Sequence, residues 1–116
     1  MQGAALALRL SPLDPRRWFF DALAAAAALS SGAHDRAIEL ARRSIRSNRT
    51  HTSSFRALAV AQVLAGRVED ARRTAKELME LQPGLTVTQY RQRHPAADFP
   101  TGDIWAYALR QAGVPD

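Results

Sequence analysis

The chain contains no cysteine, which excludes disulfides, thiolate metal ligands and a cysteine nucleophile. Aromatic residues make up only 7% of its 116 residues, too few to build a core around bulky rings. Long apolar runs are missing as well. The longest weakly polar stretch, Ala22 to Leu29, is eight residues, against the roughly twenty needed to span a bilayer. Met1 to Leu10 has no basic start, and Arg9 interrupts its apolar run, so no secretory signal is expected. The period-two alternation of strands is sustained nowhere. These absences predict one soluble, cytoplasmic domain without strands, since the length suits a single core.

What is abundant is small and basic. Alanine occurs 23 times, arginine fifteen times against a single lysine, and the net charge is +5. Alanine at this level favours helices whose backbones pack closely.

The alanines and glycines recur at a fixed interval. Gly32, Ala37 and Ala41 each lie 34 residues before Gly66, Ala71 and Ala75. Around them, Gly32-Ala33-His34-Asp35-Arg36-Ala37-Ile38 aligns with Gly66-Arg67-Val68-Glu69-Asp70-Ala71-Arg72. A helical pattern at this period is the signature of a repeat architecture. Asp14 can cap a helix with Pro15 in its first position, running to about Ser30. Asp35 to about Ser47 forms the next, with Ile38, Ala41 and Ile45 on one face. Thr50 or Thr52 opens a third, ended by Gly66. Val68 to Leu81 is the fourth, broken by Pro83-Gly84. Short turns make each pair antiparallel.

These hairpins resemble tetratricopeptide repeats, with residues 18–51 and 52–85 in the family's register. The family's small residue at the helix crossing corresponds to Ala25 and Ala59, and its turn glycine to Gly32 and Gly66. Its small residue early in the second helix corresponds to Ala37 and Ala71, and its closing proline to Pro83. Arg49 replaces that proline in the first unit, Asp21 stands where the family prefers an aromatic ring, and Ala41 and Ala75 replace a bulkier side chain. The resemblance implies an all-α superhelix: a leading half-repeat over 1–12, repeats over 15–49 and 50–84, and capping helices over 86–113. The motifs Leu10-Ser11-Pro12-Leu13-Asp14-Pro15, Trp18-Phe19-Phe20 and Leu81-Gln82-Pro83-Gly84-Leu85-Thr86-Val87 are similar to the C-terminal repeat region of bacterial adenylate/guanylate cyclase-like proteins and winged-helix regulators. That likeness implies a non-catalytic interaction, regulatory or oligomerisation arm of a larger signalling protein.

At the second end, Thr86 and Gln89 have capping-box spacing, and a short helix through Tyr90 to about Arg93 should stop at His94-Pro95. Ala96 to Pro100 reads as a loop. Thr101 then caps a last helix carrying Ile104, Trp105, Ala108 and Leu109, closed by Gly113. Because repeats bury their faces against neighbours, a chain that begins inside an array implies either a piece of a longer protein or self-association through the open N-terminal end.

No catalytic inventory is present. His34, His51 and His94 lack partners at helical metal-ligand spacing. No serine sits in a G-x-S-x-G elbow, and neither a phosphate loop nor a dinucleotide fingerprint occurs. No enzyme activity, cofactor, metal or small-molecule substrate is therefore expected. Two surfaces remain. The resemblance places the ligand-facing side on the first helix of each unit, at Phe19, Ala22, Ala26 and Leu29, then Ser53, Arg56, Val60 and Val63. Alanine or valine at Ala22, Ala26 and Val60 removes the family's carboxylate clamp and leaves an apolar groove with Arg56 as its one charge. Either the terminal helix around Trp105 and Leu109 covers that groove, or an apolar partner helix does. The second surface is basic. From Asp35 to Arg56 six arginines face two carboxylates, and Arg42, Arg46 and Arg49 share one helix face. Such a stripe suits phosphates or an acidic protein surface. It lacks interleaved aromatics for base stacking, so nucleic acid is the less favoured partner. A solvated face with Glu39 pairing Arg42 or Arg43 is the simpler expectation.

Overall fold

The computed structural model describes residues 16–93 and 100–116, and all regular structure in them is helical. In chain order the helices are α1 (Arg17–Ser30), α2 (His34–Ser47), α3 (Thr52–Leu64), α4 (Val68–Leu81), α5 (Val87–Arg93) and α6 (Pro100–Ala112). The Asp14–Pro15 start, the half-repeat over 1–12 and the His94-Pro95 stop fall outside the described residues.

Consecutive helices pack on one another as α1 on α2, α2 on α3 and α3 on α4, while α6 lies across α3 and α4. The central element is α3. It is buried continuously from Ser54 to Gln62, as befits a helix that is largely apolar all round. By contrast α2 and α4 are amphipathic, each burying one stripe: Ala37, Ile38, Ala41 and Ile45 on α2, and Ala71, Thr74, Ala75 and Leu78 on α4.

The 34-residue interval in the sequence is an interval in the structure. Helix α1 ends at Ser30 and α3 at Leu64; α2 spans His34–Ser47 and α4 spans Val68–Leu81. Both first helices close in the same way. Gly32 N–H donates to Leu29 O at 3.1 Å and Ala33 N–H to Ala28 O at 2.8 Å. Gly66 N–H donates to Val63 O at 3.0 Å and Arg67 N–H to Gln62 O at 2.7 Å. This paired closure needs a left-handed residue, and the glycines supply it at φ of 81° and 82°. Three pairs of alanines 34 apart, Ala25 with Ala59, Ala37 with Ala71 and Ala41 with Ala75, are all at 0% exposure. At such positions side chains beyond Cβ would hold the helix axes apart.

Several local expectations need correction. Of the two expected openings of α3, the helix takes Thr52, with His51 as N-cap and no side-chain hydroxyl capping it. Thr50 instead closes the preceding turn, donating from N and Oγ1 to Asn48 Oδ1 at 3.1 and 2.9 Å. Pro100 opens α6 rather than ending a loop, and Thr101 is inside the helix; proline suits a first helical position because that N–H has no intrahelical partner. Half of the expected capping box is seen, with Gln89 N–H donating to Thr86 Oγ1 at 3.0 Å. Glu39 pairs with Arg36 at 3.1 Å instead of Arg42 or Arg43. Arg43 reaches back to Asp21 on α1, donating from Nη2 to Oδ1 at 3.0 Å, and Arg17 lies 3.5 Å from the same oxygen. Asp21 is thus a buried carboxylate joining α1 to α2, which explains an acid at an otherwise apolar position.

Candidate functional site

The proposed ligand-facing positions separate into two groups. Leu29 is buried in the core, Val60 is at 0% exposure, and Val63 packs against the core from a partly buried site. All three belong to the packed core or its edge, the same core that α6, lying over α3 and α4, joins through Ala106, Ala108 and Leu109. The other five, Phe19, Ala22, Ala26, Ser53 and Arg56, do come together. With Leu23, His51, Ala57 and Trp105 they line a groove of about 220 Å³. Through Trp105, the terminal helix forms a wall of the groove that those five positions line.

Each wall has a local cause. Phe19, Ala22, Leu23 and Ala26 stand at i, i+3, i+4 and i+7 on α1, one helical stripe. Phe19 and Leu23 are 45% and 53% exposed, so the rim is apolar and open. On the opposite wall Trp105 is held by a stack on Tyr90, with centroids 6.4 Å apart and planes 6° from parallel. Arg91 on α5 fixes the same turn of α6 through Asp103 at 2.8 Å, and Val87 N–H donates to Pro115 O at 2.8 Å, tying the chain end to the start of α5. His51 packs on Trp18 with centroids 4.4 Å apart.

The floor is Arg56, at only 6% exposure. Its partners are neutral: Nη2 donates to Ser53 Oγ at 2.7 Å, while Nη1 reaches Thr52 Oγ1 and Gln82 Oε1, both at 3.4 Å. No carboxylate among the described residues lies within ion-pairing distance of it. Burial lowers the guanidinium from its ordinary range, opposed by Tyr90, yet arginine stays charged at neutral pH. Burial likewise lowers His51, and the Arg56 charge adds to it. Tyr90 is raised by burial, with Arg56 and Arg91 acting against that.

The basic face is separate. Arg42, Arg46 and Arg49 line a groove of about 220 Å³ with Ile45, Phe55, Leu58, Thr74 and Glu77. Arg42 and Arg46 also line a second, of about 320 Å³, with Asp35, Ile38, Glu39 and Arg67. Arg49 approaches Glu77 at 3.9 Å. Among the described residues no three His, Cys, Asp or Glu side chains converge on a metal-sized site, and no helix is long and apolar enough to cross a membrane.

Sequence reasoning missed Leu23, His51 and Ala57 as members of the groove, and brought Trp105 to it only as part of a covering helix. Leu23 was findable, since it lies one helical turn from Phe19. Whether Trp105 covers the groove or walls it depends on how α6 docks, which local sequence does not give. No protein-family model, curated protein or solved structure matches the chain.

Proposed function

We propose that the chain is a tetratricopeptide-like interaction module that binds a protein segment without chemistry, in the groove between α1 and α6. Support for the repeat comes from the 34-residue recurrence of helix ends, turn hydrogen bonds and fully buried alanines. The site rests on a single observation: a stripe with Phe19 and Leu23 exposed faces Trp105 across a gap that no other part of the described chain fills. Exposed apolar surface next to a packed wall is where partners dock. In this reading the module is the regulatory or scaffold arm of a larger bacterial signalling protein, of the cyclase-like or winged-helix regulator kind.

The probe is an amphipathic helix selected against the folded chain from a display library. Its footprint, read as amide and indole chemical-shift changes, should centre on Phe19, Leu23, Ala26 and the Trp105 indole. A footprint on Arg42, Arg46 and Ile45 would contradict the assignment.

One observation favours a second reading. Arg42 and Arg46 have no ion-pair partner among the described residues and share two grooves, so an anionic surface could neutralise them. If nucleic acid is the partner, anisotropy of a labelled oligonucleotide will show affinity falling steeply with salt. Binding unchanged by salt, or none at all, removes this reading.

A further inference from the structure

Arg56 is a buried cation without a counter-charge among the described residues. Of its five N–H donors, three are committed to hydroxyl and amide oxygens, two of them at the long distance of 3.4 Å. Two donors, including the one on Nε, have no acceptor among the described residues. No enclosed side-chain nitrogen or oxygen among those residues lacks a partner, so Nε keeps contact with solvent, and the groove is the cavity Arg56 lines. A desolvated charge held only by neutral groups is costly, and an opposite charge brought to it is favoured.

The rest of the lining limits what can bring that charge. Among the described residues it holds no carboxylate and is mostly apolar: Phe19, Leu23 and Trp105 around the alanines Ala22, Ala26 and Ala57. Alanines at i and i+4 on α1 make a shallow channel along the helix, into which a second helix can sink. A free phosphate would leave the apolar walls in water. An extended acidic peptide would leave them largely uncovered.

We propose that the groove takes a partner helix whose apolar face carries one Asp or Glu, its carboxylate seated on Arg56. The proposal rests on the docking reading above and specifies the partner's chemistry. Arg56 serves as a positioning and specificity residue, since an apolar helix without the acid would leave its two free donors sealed and unpaired.

Two small probes separate the terms: 3-phenylpropionate and its neutral amide, titrated while the Arg56 Nε–H and Trp105 indole resonances are followed. The acid should bind about tenfold more tightly than the amide, the scale of a charge-assisted hydrogen bond, and should move both resonances. In Arg56→Gln that preference should vanish while the Trp105 response persists; the wild-type comparison decides the matter if this variant does not fold. Helices selected from the display library should carry Asp or Glu at one recurrent position of the apolar face. Equal binding of acid and amide at Trp105, or groove-bound helices without an acid, overturns the carboxylate proposal and leaves the docking reading standing. An acid response confined to Arg42 and Arg46 overturns it too. No response at Trp105 to either probe, together with library binders that avoid the groove, overturns both.

Discussion

Ala71 and Ala37 carry the same burden at 34 residues' separation. Both are at 0% exposure where paired helices meet, so close packing should resist a larger side chain at either. Ala71→Leu should cost about 1–3 kcal/mol by overpacking, read as a lower urea midpoint with an unchanged slope. Unaltered stability would mean that α3 and α4 are not in close contact there. The hydroxyls of Ser44 and Ser54 show how a polar pair is tolerated in this core. Ser44 Oγ donates to Trp18 O at 2.6 Å, so the 2.8 Å contact between the two hydroxyls must be donated by Ser54. In the second unit the position 34 residues on is Leu78, fully buried, and the buried polar pair lies elsewhere, with Thr74 Oγ1 donating to Gln62 Oε1 at 2.7 Å. His51 gives a pH prediction with a definite sign. Its folded pKa is lowered, by burial first and by Arg56 second, so below about 6.5 the unfolded chain binds more protons than the folded one. Stability should therefore fall as pH drops from about 6.5 through the folded value. A His51→Gln variant should flatten that slope in urea titrations between about pH 5 and 7.5; an unchanged slope would assign the effect elsewhere.

Among the elements, the turns are the simplest test of repetition. Gly66 adopts φ of 82°, and a Cβ added there would meet nothing within 4 Å. The cost of Gly66→Ala is accordingly conformational rather than steric, about 1–2 kcal/mol, and Gly32→Ala should match it. A large inequality between the two would show that the hairpins close differently. Helix α4 was legible to the residue, because a turn glycine precedes it, an apolar stripe runs through it and Pro83-Gly84 ends it. The start of α6 was not: proline both breaks helices and begins them, and local sequence does not distinguish the two at Pro100. The N-terminus of α3 is ambiguous between two threonines for a similar reason, and the helix begins at the second, Thr52. Thr50 and Thr52 both have capping chemistry, but Asn48 takes the Thr50 hydroxyl first. Half of the groove was readable from α1 and α3 alone. Its other half depends on the docking of α6, where Tyr90 and Trp105 stack across a contact that no periodicity announces. Val60, apolar and on the expected face, lies in the core.

At the scale of the whole molecule, one terminal helix decides what stays open. By packing on α3 and α4, α6 buries its own Leu109 and leaves the exposed rim of α1 in one groove with Trp105. The chain thus has two chemically distinct sides: an apolar groove floored by the enclosed charge of Arg56, and an arginine face where Arg42 and Arg46 stand exposed. The decisive measurement is the affinity of a library-selected helix for the wild-type chain, Leu23→Glu and Arg46→Glu, each at about 50 and 200 mM salt. A groove binder should lose more than about tenfold in affinity on Leu23→Glu, stay within about twofold on Arg46→Glu, and change little with salt. Loss on Arg46→Glu with a steep salt dependence, and indifference to Leu23→Glu, would contradict the account.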